Sequence, residues 1–276
     1  MTASSQAYAV PLVLFGAGKM GGAMLEGWIS VGMSLSAATI LDPQPSLEVQ
    51  TLCTKHRVTL NPALRDIPPA KVVVLAIKPQ TLDAAGPVIG RLVGTDTLLV
   101  SILAGKTIAD LQRHAPRARA IVRAMPNLAA SVRRSATAAI ATPDTSEAQR
   151  TLAHTLLTSI GTVEWLPGEE LINAVTAVSG SGPAYFFYLA ECLAQAGASV
   201  GLPRELADHL ARATLVGAGE LLAQNELPPA KLRHDVTSPG GTTAAALEML
   251  TSEQGLLPLM QKAVAAAKRR ADELSG

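Results

Sequence analysis

Gly16-Ala17-Gly18-Lys19-Met20-Gly21 directly follows an apolar run and opens an amphipathic one. Glycines at this spacing let a chain turn tightly out of a strand, bring its backbone against a pyrophosphate and pack the next helix closely on that strand. The free amides at the helix start would hold the anion. Asp42 lies about twenty residues further on, where such chains read the adenosine ribose. A carboxylate there accepts from both hydroxyls of NAD(H) and repels a 2′-phosphate, and the next cation is Lys55. Asp42 also precedes Pro43, so a turn-forming role is equally open.

Ala76-Ile77-Lys78-Pro79-Gln80 sits at the end of a third long strand, where ligands bind in open α/β sheets. Lys78 there is either a cation for a phosphate, a ribose or a substrate carboxylate, or a solvated loop residue. The segments ending at Ala104-Gly105 and at Met125-Pro126-Asn127 occupy equivalent strand ends, so Ala104 and Asn127 are candidates for a nicotinamide rim. Two glycine-rich breaks follow, Ser179-Gly180-Ser181-Gly182-Pro183 and the run from Asp235 to Ser238-Pro239-Gly240-Gly241-Thr242-Thr243. Glycines and hydroxyls at a helix start make an anion nest with side-chain donors. A plain interhelical turn needs a glycine but not this many Ser and Thr.

The elements that must position these residues alternate. Strand-like runs cover 10–15, 39–41, 72–77, 98–103, 120–123, 136–141 and 163–165. Helical patterns cover 19–31, 47–56, 107–114 and 81–93, the last broken at Gly86-Pro87. Another helix opens at Ser146, with Gln149 completing a capping box, and stops at Gly161. Runs apolar on both faces, alternating with helices, predict a parallel sheet covered by helices. Beyond Pro167-Gly168 the pattern is helical: 182–198, 203–224, 228–236, 242–251 and 256–274. The expected architecture is α/β: an N-terminal Rossmann-type dinucleotide-binding domain with a mainly parallel sheet over 1–168, then an all-α dimerisation and substrate domain over 169–276. In the 203–224 helix, Leu206, Leu210, Ala213, Gly217 and Leu221 share a stripe while Leu215 and Val216 lie elsewhere. Apolar residues on more than one face need a partner subunit to cover them.

Composition narrows the class. The chain has 276 residues, 23 Lys+Arg against 22 Asp+Glu, a net charge of +1, and 48% hydrophobic against 16% charged residues. Disorder and counterion-driven nucleic-acid binding are excluded. Cys53, Cys192 and five scattered histidines make neither a disulfide framework nor a zinc site; no metal is expected, and the compartment is read as reducing, the cytoplasm. No basic region precedes the first apolar run, which argues against a secretory leader. The longest uncharged stretch, 171–190, is interrupted by Asn173, Thr176 and the Ser179–Pro183 run. It reads as two buried helices joined at a tight turn in a soluble protein, not a membrane span.

With these residues in hand, the chain resembles the pyrroline-5-carboxylate reductases along essentially its whole length. The resemblance rests on Gly16–Gly21, on Ala76–Gln80, on Ser179-Gly-Ser-Gly-Pro-Ala-Tyr185 and above all on Val236-Thr-Ser-Pro-Gly-Gly-Thr-Thr243. It implies reduction of the cyclic imine 1-pyrroline-5-carboxylate to L-proline by NADPH or NADH. It implies that Ser238, Gly240, Gly241 and Thr242 hold the substrate carboxylate and that Thr243 lies by the imine nitrogen. It places Glu226 near the substrate and implies an interlocked homodimer with shared sites, from which higher assemblies form. The segment after Met125 departs from the family. Leu128-Ala129 stands where Thr-Pro is usual, and Ser135 where glycine is usual, so the pocket rim is expected to differ.

Two other readings compete. A β-hydroxyacid dehydrogenase shares a glycine-rich nucleotide domain followed by helices, but needs a Lys base early in the second domain, and 171–202 contains no Lys. A non-catalytic nucleotide-binding protein could use the same fold, but has no need of the 238–243 loop.

Overall fold

A computed structural model of the chain describes residues 10–275. Contacts divide the chain into two compact units. One runs up to Gly180 and includes the chain end from Arg270; the other is Ser181–Arg269.

In the first unit, β1 (Leu12–Phe15), β2 (Ala38–Leu41), β3 (Thr59–Leu60), β4 (Val72–Leu75), β5 (Leu98–Ser101), β6 (Ala120–Met125), β7 (Ser135–Ala141) and β8 (Gly161–Trp165) form one sheet among the described residues. Its order is β3-β2-β1-β4-β5-β6-β7-β8, parallel throughout except between β6 and β7. The pleat sorts alternate residues of each strand to opposite faces. Val72 and Val74 join Leu14, Met24 and Trp28 in one core. Val73 and Leu75 join Leu82, Ile89 and Leu111 in the other. The covering helices are α1 (Lys19–Ser30), α2 (Leu47–His56), α3 (Leu82–Leu92), α4 (Ile108–His114) and α5 (Glu147–Thr158). The expected Ser146–Gln149 capping box opens α5, and a second, Thr107–Asp110, opens α4.

Two local expectations need correction, and one strand is unforeseen. The two-residue β3 is too short to show a period. α3 runs unbroken through Pro87. Its buried face of Leu82, Ala85, Gly86 and Ile89 outweighs the proline's cost of about 3 kcal/mol, and Gly86 lies so close to α4 that a Cβ there would be 2.6 Å from His114 Nδ1. Finally, 171–190 holds no tight turn. A 3-10 turn (Glu169–Leu171) leads into α6 (Ile172–Val175), a π turn (Thr176–Gly180) and α7 (Gly182–Ser199). The Thr176 and Ser179 hydroxyls donate back to the Ile172 and Val175 carbonyls at 2.8 and 3.2 Å, and Pro183 falls in the first turn of α7, where no N–H is needed. Nor is this segment buried throughout: Phe186, Phe187 and Tyr188 are 58, 57 and 65% exposed.

The second unit consists of α7, α8 (Arg204–Gln224), α9 (Pro229–Asp235), α10 (Thr242–Leu250) and most of α11 (Leu256–Ser275). α7 packs along α8. Of α8, Ala207 and Ala211 are buried, while Leu206, Leu210, Val216 and Leu221 stay exposed. Among the described residues no helix is long and apolar enough to cross a membrane.

One charge sits deep in the first unit. The Arg123 side chain on β6 is 5% exposed. Its Nη1 donates to Glu169 Oε1 at 2.6 Å, and the same oxygen accepts the Ile108 amide, at the start of α4, at 2.8 Å. Glu169→Ala would strand a buried guanidinium, so urea unfolding should show a loss of about 3 kcal/mol, the low end for such pairs because Glu169 touches solvent. Adding Arg123→Met should restore much of it. A Glu169→Ala protein as stable as wild type would remove the ion pair from the fold's energetics.

Candidate functional site

β1 delivers the chain to Gly16, at the carboxyl edge of the sheet. Gly16 has φ +96°, and a Cβ there would lie 2.6 Å from the Ala76 carbonyl oxygen; one on Gly21 would lie 2.1 Å from the Gly16 carbonyl oxygen. Neither position admits a side chain, so α1 is drawn tightly onto the ends of β1 and β4. Gly18 is the N-cap of α1, with no side-chain cap and no acidic residue in the first turn. Among the described residues nothing would meet a Cβ on Gly18 within 4 Å. Uncapped amides behind an open glycine are what a pyrophosphate needs. Ala17, Gly18, Lys19, Met20, Gln44 and Leu128 line a cleft of about 680 Å³.

Asp42 follows β2 and reaches into this turn. Its Oδ2 accepts the Ala17 amide at 2.6 Å and its Oδ1 the Gln44 amide at 2.8 Å. The turn-forming role is therefore seen, and each carboxylate oxygen keeps a further lone pair for a hydroxyl. Asn61 clamps the Asp42 backbone from both sides: its Oδ1 accepts the Asp42 amide at 2.9 Å and its Nδ2 donates to the Asp42 carbonyl at 2.7 Å. Asn61 lies outside every motif of the sequence. The available signal was an Asn before Pro62, a residue type suited to the left-handed backbone it adopts, φ +50°.

The neighbouring strand ends supply the other candidates. Ala76 continues β4, its amide donating to the Phe15 carbonyl at 2.8 Å, and Ile77 follows. Lys78 is exposed. Its carbonyl accepts the Thr81 hydroxyl at 2.8 Å and so shapes the 3-10 turn Pro79–Thr81. Ala104 is exposed beyond β5. Asn127 is buried, and its side chain braces the structure: Oδ1 accepts the Ala129 amide at 3.1 Å and Nδ2 donates to the Ser179 carbonyl at 3.0 Å, in the π turn. Nδ2 has a second hydrogen to give. The Asn127 amide donates to the buried Ser135 hydroxyl at 3.0 Å, a bond that glycine at 135 could not accept. The glycine turn, Asp42 and Ala76 are thus brought into direct contact, and these residues fit a nicotinamide dinucleotide.

In the second unit, α9 ends at Asp235. The hydrogen bond from the Lys231 ammonium holds the Asp235 carboxyl below the ordinary carboxylate range, with His234 adding to it. The Thr237 hydroxyl donates to the Arg233 carbonyl at 2.6 Å. The Gly241 amide then closes a turn on the Ser238 carbonyl at 3.0 Å, and Gly241 becomes the N-cap of α10, again without a side-chain cap. Ser238, Gly240 and Thr242 are exposed; Gly241 and Thr243 are half-buried. The structure thus gathers Ser238 to Thr243 around one helix start. Glu226 lies exposed on the loop between α8 and α9.

Comparison with known proteins agrees along the chain. The family described as pyrroline-5-carboxylate reductase dimerisation matches residues 169–274. A pyrroline-5-carboxylate reductase of Pseudomonas aeruginosa is 36% identical over 264 residues, 96% of each chain. The solved structure of one from Coxiella burnetii is 33% identical and covers 97% of this chain and 99% of its own, with a TM-score of 0.88. A Plasmodium falciparum pyrroline carboxylate reductase, solved with NADP bound, shares the fold at 24% identity and a TM-score of 0.76, over 97% of this chain and 98% of its own. A glycine turn shaped for a dinucleotide, a hydroxyl-rich helix start and this likeness over nearly every residue lead to one conclusion: the chain belongs to the pyrroline-5-carboxylate reductase family.

Proposed function

We propose that the protein reduces the C=N bond of 1-pyrroline-5-carboxylate to give L-proline, the last step of proline biosynthesis, with NADPH or NADH as reductant. What carries this reading is likeness to reductases of that name along the whole chain, joined to an uncapped helix start behind each of two glycine-rich turns. Residues 1–168 would bind the dinucleotide through Gly16–Gly21, Asp42, Ala76–Pro79, Ala104 and Asn127. Residues 169–276 would dimerise and bind substrate through Glu226, Ser238 and Gly240–Thr243. The dimer would complete each site with a neighbouring subunit and could associate further, in the cytoplasm.

The dinucleotide, when bound, supplies the hydride. The chain's own task is orientation, worth several kcal/mol when reacting atoms are held near contact. The amides of Gly240, Thr242 and Thr243 at the start of α10 and the Ser238 hydroxyl would take the substrate carboxylate. The Lys78 ammonium would steady a phosphate or that carboxylate. The Thr243 hydroxyl would hydrogen-bond at the imine nitrogen; an iminium that arrives protonated needs no strong general acid.

The direct test is dinucleotide oxidation with and without pyrroline-5-carboxylate. Thr243→Val keeps the shape and removes the donor. It should lower kcat/KM about ten- to a hundredfold, the worth of one hydrogen bond to a charged partner, with dinucleotide affinity and the shape of the pH profile unchanged. Full activity in Thr243→Val would take Thr243 out of the reaction.

Asp42 bears on which dinucleotide is used. A carboxylate beside the ribose disfavours a 2′-phosphate, so NADH should serve at least as well as NADPH. Asp42→Ser should raise the NADPH:NADH ratio of kcat/KM. A strong wild-type preference for NADPH that Asp42→Ser leaves alone would reduce Asp42 to the turn-former seen here.

The apolar faces of α8 bear on assembly. Light scattering at micromolar concentration should find dimers or larger species, and Leu210→Glu should give insoluble or inactive protein. A stable, active monomer would end both the dimer and the shared site.

A further inference from the structure

We propose that Asp272 and Ser275, in the last turn of α11, are positioning residues for the reduction: with Asn173 they hold the end of the chain against the loop that carries Ala104. The inference rests on the dinucleotide reading of that strand end.

Both ends of one side-chain amide fasten the chain end. Asn173 Nδ2 donates to Asp272 Oδ1 at 2.9 Å, and Asn173 Oδ1 accepts the Ser275 hydroxyl at 3.2 Å. The Ser275 hydroxyl also reaches the carbonyl of Ala271 at 2.9 Å, a residue just 8% exposed. The turn held in this way lies on Gly105. A Cβ there would be 3.0 Å from the Leu274 carbonyl oxygen and 3.6 Å from Leu274 Cβ, and the backbone has φ +71°. No other residue type accepts both the left-handed backbone and the approach without strain.

The far end of the same loop is fixed independently. Thr107 caps α4, and the Ile108 amide ends on Glu169, four positions before Asn173. The segment 169–173 therefore ties down the loop 102–107 twice: directly through Glu169, and through Asn173 by way of the chain end. Between these ties, Ala104 is presented at the carboxyl end of β5, between the ends of β4 and β6, the edge where open α/β sheets bind ligands. Asp272, Ser275 and Asn173 are assigned no contact with reactants. Partly exposed hydrogen bonds of this kind add modestly to stability, but a small misplacement of a positioning element is felt strongly in rate.

The test compares Asp272→Ala/Ser275→Ala with the conservative Asp272→Asn/Ser275→Thr in the full chain. The alanine pair should speed amide hydrogen exchange at 103–106 in the dinucleotide-free protein. It should raise the KM for dinucleotide about three- to tenfold, less than the full worth of the two hydrogen bonds removed because neither touches the dinucleotide, with oligomeric state and Tm close to wild type. The conservative pair should restore both readouts. Unchanged exchange and KM in the alanine pair would overturn the proposal. So would a KM change that tracks a fall in Tm, or an equal defect in the conservative pair. Wild-type protein without imine-dependent dinucleotide oxidation would instead sink the assigned reaction, while the exchange result would still decide whether the chain end orders the loop.

Discussion

The backbone contact between the glycine turn and the end of β4 sets the geometry on which the first unit's site depends. β1 and β4 are neighbours in register, Phe15 beside Leu75, so the segments that leave them emerge side by side. Gly16 and Gly21 remove the two Cβ atoms that would force those segments apart. The chain also reverses direction across the sheet here: β2 lies on one side of β1, and β4 on the other. A crevice opens at such a switch point because the two connections diverge to opposite faces. Asp42, the glycine turn and Ala76 reach it from three adjacent strands. Asp42 does more than stand near: by taking the Ala17 amide it fixes the turn's conformation, so a carboxylate that could read a ribose also shapes the loop that would hold the phosphates.

A second constraint operates through Glu169. One oxygen takes a nearly inaccessible guanidinium from β6 and the first amide of α4. Such a pair gains little over an apolar replacement of similar size, because both ions lose hydration. What it does supply is direction: charge-assisted hydrogen bonds tolerate little change in distance or angle. Glu169 therefore sets where the helical run begins. Four residues on, Asn173 faces the chain end, and at the close of the π turn Ser179 meets Asn127. A run of eleven residues is held in three places by polar contacts spaced along it.

The parts of the fold legible in the sequence are those governed by local pattern. The strand at 72–77 announces itself as a β-branched run apolar on both faces, that at 10–15 as an apolar run leading into the glycine turn, and the Ser146–Gln149 box marks a helix start at the residue. The parts that were not legible depend on partners distant in sequence. Pro87 reads as a break, yet α3 continues because its face against α4 is worth more than the local cost. Ser179–Pro183 reads as a turn, but the preceding hydroxyls bond back within the helix and Asn127 waits at its end. Arg123 looked like the close of a strand, and nothing near it in sequence names Glu169 as its partner. At the site, the glycine turn was legible because steric demand is written in residue type. Asn61 was not, nor was the bond that Ser135 makes, since a polar residue that satisfies one backbone amide looks the same in sequence as one facing water.

The helical unit poses the opposite problem to the sheet. β4 is buried on both faces by its own chain, so its composition and its surroundings agree. α7 and α8 carry apolar side chains that their surroundings do not cover: Phe186, Phe187 and Tyr188 on one and Leu206, Leu210, Val216 and Leu221 on the other stay exposed. Apolar area of that extent is costly to leave in water, at roughly 25 cal/mol for each Å², and a monomer rarely shows it in one stretch. Small residues on the same helices, Ala207 and Ala211 against α7 among them, let the pair close tightly and turn their larger side chains outward. The family match over 169–274 carries dimerisation in its description, and the exposed faces give that word a physical content. The exposed faces of the second unit are what a second subunit would cover, so the stability of this region belongs to the assembled protein rather than to the single chain.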